Sequence, residues 1–182
     1  LAIVSSSSSP DAIGARWLKQ KIETATNGDI KVQVLADAVL GGEIQILQAL
    51  QGGTIQGAFL TAHSVGNVVP AARLFILPFA IPNRSVADKV YDSDFINEHI
   101  WKKLAEKGIL YNGMWSTGFR GFHTSKGIVH SPADVKGLKM RVPQAPQFVK
   151  VMEAMGANPT PISWSEIYSA LSQKVVDGTD TT

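Results

Sequence analysis

Residues 137–143, GLKMRVP, followed by GANPTP at 156–161 and EIYSAL at 166–171, decide the fold of this chain. The first segment predicts a short strand that ends near Arg141, just before a turn fixed by Pro143. A guanidinium at that position can grip a carboxylate with two parallel hydrogen bonds, which a lysine ammonium cannot do. The segment therefore predicts a strand of an α/β sheet and a candidate anion-binding side chain.

Apolar spacing along the chain alternates between the periods of strands and helices. Strands are expected at Leu1–Ser5, Ile30–Val34, Ile55–Leu60, Ile109–Trp115, Phe119–Thr124 and Lys139–Val142. Helices are expected from Pro10, with an apolar face of Ile13, Trp17, Leu18 and Ile22, and at Glu43–Gln51, Val86–Tyr91, Phe95–Lys107, Pro132–Lys136 and Gln147–Met155. A capping box at Ser163-x-x-Glu166 begins the last helix. This rhythm predicts an α/β fold with largely parallel sheets.

One internal repeat bears on the domain organisation. Residues 49–57, ALQGGTIQG, align at a constant offset with residues 170–178, ALSQKVVDG, and each copy predicts a helix end, a tight turn and a strand. Two such units predict two similar lobes, although generic helix–strand turns resemble one another to the same degree. We expect a first lobe at 1–117, a crossing strand at 118–124 and an incomplete second lobe at 125–182. Facing strand ends would then form a ligand cleft.

Composition narrows the function classes. The chain has 182 residues, a formal net charge of +2 and no cysteine, and its Lys and Arg residues form no run. Nucleic acid is therefore not an expected partner, and disulfide or thiolate chemistry is excluded. No apolar run approaches the roughly 20 residues that span a bilayer. The chain starts on an apparent strand with no charged leader, so we expect that any secretion signal was removed or was never present. It stops after an apparent strand with no closing helix, which we expect of a fragment.

Two arginines are the leading candidates for ligand binding. Arg141 belongs either to a solvated strand face or, beside the helix expected to start near Gln147, to an anion site at that helix N-terminus. Arg120 lies among aromatic residues in WSTGFRGFH at 115–123, where it either stacks at the surface or needs an anion. Two arginines that converge on one cleft would suit a mono- or dicarboxylate.

Other residues are weaker candidates for the same site. Trp115, Trp164 and Phe79 are candidate pocket walls, although aromatic side chains more often fill cores. Glu43 is expected to complement a helix dipole, with a lesser chance of contacting ligand hydroxyls. Ser9 closes the polar loop 5–9 and either contacts an acid or belongs to a plain connection.

Motifs of enzymes and metal sites are missing from the sequence. It contains no Gly-x-Ser-x-Gly, no phosphate-binding Gly-x-x-x-x-Gly-Lys and no Gly-x-Gly-x-x-Gly, and no pair of carboxylates suggests acid–base work. The four histidines lack the spacing of metal ligands, so we interpret them as scattered residues that are either at the surface or satisfied by hydrogen bonds: His63, His99, His123 and His130. We expect no enzymatic activity, no cofactor and no metal.

The ordered set of segments closely resembles the solute-binding proteins of tripartite ATP-independent periplasmic (TRAP) transporters, of the DctP type. The segments that carry the resemblance are LGGE at 40–43, ALQGGTI at 49–55, LPF at 77–79, GFR at 118–120, LKMRVP at 138–143, TPISWSEIY at 160–168 and VDG at 176–178. The resemblance implies a two-lobed, periplasmic-binding-protein-like clamshell. It implies that the protein closes on a small organic acid in the periplasm and delivers it to membrane permease subunits.

The resemblance also assigns roles to residues. Arg141 would be the carboxylate clamp and Arg120 a second cation. Members of the family often carry Glu-Asn after the last strand, where this chain has Asp180-Thr181. Thr181 would then replace the ligand-contacting Asn with a hydroxyl. The family also continues beyond Thr182 with a long helix and the rest of the second lobe.

Two other functions remain open at this point. The same clamshell could report an organic acid to a membrane receptor as a sensor. Less support exists for an enzyme that processes anions on a flavodoxin-like sheet.

Overall fold

Four short strands form one mixed sheet in the computed structural model, which describes residues 1–182. The sheet order is β1-β4-β2-β3, with β1 at Gly121–Thr124, β2 at Lys139–Val142, β3 at Asn158–Pro161 and β4 at Gly178–Thr181. β2 pairs in parallel with β3 and β4, and only β1 pairs antiparallel, with β4. The predicted α/β class with largely parallel pairing is confirmed, and the bounds of β2 are those predicted.

Helical segments surround and connect the strands. The α-helices are α1 at Pro10–Ala25, α2 at Glu43–Gln51, α3 at Ala62–Val65, α4 at Arg84–Tyr91, α5 at Asp94–Ile96, α6 at Lys102–Ala105, α7 at Pro146–Ala154 and α8 at Ile167–Ser172. A π-helical turn at Asn97–Trp101 joins α5 to α6, so the single helix predicted there is irregular. Further 3₁₀ turns lie at Pro70–Ile76, Pro132–Val135 and Trp164–Glu166. None of these helices combines the length and apolarity needed to cross a bilayer.

The N-terminal strands are shorter than predicted. Ala2 forms single parallel bridges to Leu35 on one side and to Ala58 on the other. These bridges do not extend into ladders of several residues. The prediction of a strand at Ile109–Trp115 is wrong, because the backbone N–H groups of residues 110–120 donate to no backbone carbonyl of the chain. A strand needs a paired neighbour, and alternation alone cannot supply one.

The buried face of α1 also differs from the prediction. Ala12 and Ala15 are fully buried against Ile3, whereas Ile13 and Trp17 are more than half exposed. The small side chains of Ala12 and Ala15 let α1 pack closely against its neighbours. The spacing of the large apolar residues alone does not show that the helix turns its small residues inward. The predicted capping box of the last helix is replaced by a 3₁₀ turn, in which Ser163 donates its hydroxyl proton to the Glu166 carboxylate.

The internal repeat has the same geometry in both places. Gly53 after α2 and Lys174 after α8 both adopt positive φ, at 72° and 57°. The turn after each helix folds back onto one carbonyl: Thr54 and Ile55 donate to Ala49, and Val175 and Val176 donate to Ala170. Each turn then feeds a segment that pairs in parallel with a neighbour. The chain therefore uses one helix–turn–strand unit twice.

Two sets of apolar clusters form the core. One set is built from residues between Leu1 and Met114, with Ile46, Ile96 and Ile100 fully buried. The other is centred on Met140, Val142, Phe148 and Met152, where one face of β2 packs on α7. Ile76 from the N-terminal part also packs against this second cluster, so the two parts are in apolar contact.

Gly178 marks a close approach of backbones in the sheet. A Cβ atom there would lie 2.5 Å from the His123 carbonyl oxygen, across the β1–β4 pair, whereas a Cβ at Gly121 in the same pair meets nothing within 4 Å. We expect Gly178→Ala to lower the free energy of unfolding in urea by about 1–3 kcal/mol. The control Gly121→Ala should change it by no more than about 0.5 kcal/mol. Equal effects of the two substitutions would contradict this packing.

Candidate functional site

Arg141 is a buried cation without an anionic partner in the chain. It lies on the central strand β2 between Thr179 and Thr160, and only 4% of its surface is exposed. Its Nε donates to the Ile162 carbonyl at 2.8 Å, while the two terminal amino groups make no hydrogen bond within the chain. No carboxylate lies within ion-pair distance, and Arg141 is absent from the salt bridges of the chain. Both prongs of the guanidinium fork are therefore available to an outside acceptor.

Arg141 lies on the face of β2 opposite the one that packs on α7. Strand alternation directs Met140 and Val142 toward α7 and Arg141 to the other face of the sheet. The hydrogen bond from Arg141 Nε to the Ile162 carbonyl orients the guanidinium there. Burial lowers the pKa of Arg141 to about 10, and the positive charge of Arg120 acts in the same direction. The carboxylates of Asp180 and Glu43 oppose this shift. The guanidinium stays protonated at neutral pH, and its charge is poorly compensated.

Arg120, the second candidate, has its own counter-ion. Its Nε and Nη2 donate to the two carboxylate oxygens of Asp180 at 3.1 and 2.9 Å, and Nη2 also donates to the Asp180 backbone carbonyl. The guanidinium lies over the Phe148 ring, 4.6 Å from its centroid. The stacked and the anion-paired alternatives are thus both realised. The pair is close to neutral as a unit, which distinguishes Arg120 from Arg141.

Glu43 is hydrogen-bonded to the start of helix α3. It is the first residue of α2, as the dipole argument predicts, and its Oε2 accepts hydrogen bonds from the hydroxyls of Thr61 and Ser64. Its Oε1 accepts only a long bond, 3.4 Å, from the Thr61 N–H. Oε1 therefore has fewer hydrogen-bond donors than a carboxylate oxygen can accept, and 12% of the side chain is exposed.

His63 joins this cluster, although the sequence did not single it out. Its Nε2 lies 3.4 Å from Glu43 Oε2, its Nδ1 lies 2.7 Å from Thr61 Oγ1, and its ring meets the edge of Phe148 at 5.6 Å. Burial lowers the pKa of His63, Arg120 and Arg141 lower it further, and Glu43 and Asp180 oppose the shift. The one sequence signal was its place in a polar segment, residues 61–64, just after a strand.

The two parts of the chain face each other beside this cluster. The Cβ position of Gly42, next to Glu43, lies 3.7 Å from Ser163 Cβ. A polar cavity of about 330 Å³ opens there, lined by Gly41, Gly42, Gln45, Gln144, Ser163, Ser165 and Glu166. A larger hollow of about 400 Å³ is lined by residues between Pro161 and Val175. Neither lining includes Arg120, Arg141, Glu43 or His63. We assign the site to the charged cluster because it contains the uncompensated cation.

The remaining predicted residues have different positions. Trp164 is 46% exposed between two serines that line the polar cavity. Thr181, half-buried, follows Asp180 on β4. Trp115 packs on Gly14 and meets the Phe59 ring at 4.7 Å. Phe79 is 96% exposed, and Ser9 caps α1 by accepting from the Ala12 N–H, so neither contacts the cluster.

A largely buried guanidinium with a free fork is typical of a protein that binds a small anion. The family model of the bacterial extracellular solute-binding proteins, family 7 (DctP), matches residues 1–182. The chain belongs to this family.

Individual relatives agree with the family match. A solute-binding protein of Roseobacter denitrificans is 36% identical over 160 residues, which are 87% of this chain and 48% of that protein. Two solved structures are TRAP periplasmic solute-binding proteins: one from a Sulfitobacter species with bound β-D-galacturonate (TM-score 0.95, 29% identity) and one from Sulfurospirillum deleyianum with bound succinate (TM-score 0.93, 30% identity). They match 100% and 99% of this chain, which covers 60% and 58% of theirs. The chain spans about half the length of the curated relative.

The Arg120–Asp180 pair should contribute to folding. We expect Asp180→Asn to lower the free energy of unfolding by about 1.5–3 kcal/mol, because it removes the charge from a largely buried, hydrogen-bonded partner. Lys126→Met is the control, since its pair with Asp177 spans 3.5 Å at an exposed site and should contribute no more than about 1 kcal/mol. Urea unfolding measures both, and a loss at Asp180 no larger than at Lys126 would contradict the assigned role.

Proposed function

We propose that this chain is the ligand-capturing part of an extracytoplasmic solute-binding protein that holds a small organic acid by its carboxylate. One observation carries the proposal: Arg141 is 4% exposed and keeps both terminal amino groups free of partners. A charge on a largely buried side chain is costly when the chain supplies only one neutral acceptor for it. A ligand carboxylate supplies the missing acceptors as a bidentate pair.

The proposed protein works as a clamshell in the periplasm. Its lobes are residues 1–117 and 125–182, with 118–124 as the crossing segment, and the acid binds where Gly42, His63 and Arg120 approach the second lobe. The family membership and the acids bound to the similar solved structures support this proposal. Delivery of the acid to TRAP-type permease subunits is part of it. The ligand is bound and released without chemical change.

The first test is a thermal-shift panel of organic acids against the protein. An acid at about a hundredfold excess over its Kd should stabilise the fold by about 2.7 kcal/mol. For a domain of this size, that stabilisation corresponds to a rise in Tm of about 5–10 °C. Neutral sugars and amines serve as controls of similar size. A shift with these controls and none with any acid would contradict the proposal.

The second test replaces the clamp. We expect Arg141→Met to weaken acid binding by about 2–5 kcal/mol, or thirtyfold to several thousandfold, and Arg141→Lys nearly as much, because an ammonium lacks the planar fork. The unliganded Met variant should be as stable as the parent or more so, since a buried uncompensated charge is removed.

Calorimetry and melting curves make both measurements. Lys139→Met is the matched control, because it removes an exposed cation two residues earlier on β2 and should leave affinity unchanged. Parent-like affinity in Arg141→Lys would show that charge alone suffices. Parent-like affinity in Arg141→Met would remove this residue from the site.

A further inference from the structure

The charges around Arg141 limit what else the ligand can carry. Arg120 and Asp180 neutralise each other, which leaves the positive charge of Arg141 and the negative charge of Glu43. One carboxylate on Arg141 uses the single uncompensated cation. A second carboxylate on the same ligand finds no free cation, and toward Glu43 it meets a charge of its own sign. Like charges a few ångströms apart in a partly buried site repel strongly.

One carboxylate oxygen of Glu43 can accept further hydrogen bonds. Thr61, Ser64 and His63 all contact Oε2, and Oε1 has only the long bond from the Thr61 N–H. A hydroxyl group is a donor that fits an ionised carboxylate oxygen, whereas another ionised carboxylate offers only acceptors.

When its ring is neutral, His63 lacks a proton for one of its contacts, the one between Nε2 and Glu43 Oε2. If the Thr61 hydroxyl donates to Glu43, its oxygen can accept from Nδ1–H of His63. The neutral ring then presents a lone pair at Nε2 to Glu43 Oε2, 3.4 Å away. A proton on Nε2 would complete all three contacts and add a positive charge beside Glu43. The pair therefore has two charge states, −1 with neutral His63 and 0 with the imidazolium.

We propose that the Glu43–His63 pair determines the specificity of the site: with His63 neutral, it accepts ligand hydroxyls and rejects a second carboxylate. The ligand class is then a monocarboxylate that carries hydroxyl groups, as in hydroxy acids and sugar acids. This inference rests on the proposed function, since it assumes that Arg141 holds one carboxylate. His63 acts as a positioning and charge-setting residue, and Glu43 contacts the ligand.

The charged groups around His63 determine whether its ring is neutral or protonated. Glu43 on α2 and Asp180 on β4 favour the imidazolium, while Arg120 before β1, Arg141 on β2 and burial favour the neutral ring. Phe148 of α7 presents an apolar edge and no charge. A carboxylate bound at Arg141 cancels one opposing positive charge. Ligand binding should therefore promote proton uptake at His63, and low pH should relax the exclusion of dicarboxylates.

The test compares acids that differ in one group. The probes are 4-hydroxybutyrate against succinate, and galactonate against galactarate, in which a terminal CH₂OH replaces a carboxylate on the same carbon chain. At pH 8 we expect calorimetry to give about 10- to 100-fold tighter binding of the better-bound hydroxy acid than of its dicarboxylate partner. At pH 6 this ratio should shrink at least several-fold.

Variants assign the effect to residues. Glu43→Gln should abolish the preference at both pH values, and His63→Gln should keep the preference but lose its pH dependence. His130→Gln, an exposed histidine outside the cluster, should behave like the parent. Titration of the ligand itself is common to all variants and cancels when their ratios are compared.

The outcomes separate this inference from the proposed function. If no acid binds to the parent protein, the proposed function fails and this inference with it. If acids bind but the dicarboxylates bind as tightly as the hydroxy acids at pH 8, only this inference is overturned. A ratio that Glu43→Gln leaves unchanged overturns it as well. If Glu43→Gln does not fold, the ratio of the parent protein at pH 8 and the difference between the pH dependences of the parent and His63→Gln decide.

Discussion

The structure depends on a single electrostatic constraint, the burial of the Arg141 charge in the middle of a sheet. β2 has β4 on one side and β3 on the other, and α7 covers the face that carries Met140 and Val142. Arg141 on the other face is nearly closed off from water but receives only one neutral acceptor. A side chain that served folding alone would have a carboxylate partner there, because removing a charge from water costs several kcal/mol.

The two arginines differ in what their charges contribute: Arg120 contributes to the stability of the fold, and Arg141 is available to bind a ligand. Asp180 satisfies Arg120 in a two-pronged pair, so this guanidinium fixes Phe148 and the end of β4. Arg141 has no such partner, so its interaction energy is available to a ligand. If both arginines were paired with carboxylates of the chain, the site would have no uncompensated positive charge to attract an acid. If neither were paired, two like charges would destabilise the unliganded fold.

Much of the C-terminal part of the chain could be predicted from sequence, because its signals are local. β2, α7 and the turn after α8 follow from alternation, helical spacing and residues near each end. Alternation alone also allows a solvated strand face for Arg141, and only the family resemblance implies its role as a carboxylate clamp. The two copies of the helix–turn–strand unit also share a backbone geometry that one short segment determines. Strands at the N-terminus and at residues 109–115 were overpredicted, because pairing depends on neighbours that alternation does not reveal.

The chemistry of the site was less predictable, since it depends on contacts across long sequence distances. Arg120 and Asp180 are 60 residues apart in sequence, and Glu43 meets His63 only because α2 packs beside the start of α3. The family resemblance drew attention to Thr181, whereas its neighbour Asp180 holds the arginine. His63 belongs to no sequence motif, and its position between Glu43 and Phe148 follows from contacts that α3 makes with α2 and α7.

The central claim is that Arg141 recognises a charged carboxylate through its fork, and a double cycle over protein and ligand tests it most directly. Calorimetry would measure an acid and its uncharged primary amide against the parent protein and Arg141→Met. The account predicts a coupling energy of about 2–5 kcal/mol, because the amide and the methionine each remove the same pair of charge-assisted hydrogen bonds. Additive effects, with a coupling near zero, would show that Arg141 and the carboxylate do not interact and would contradict the account.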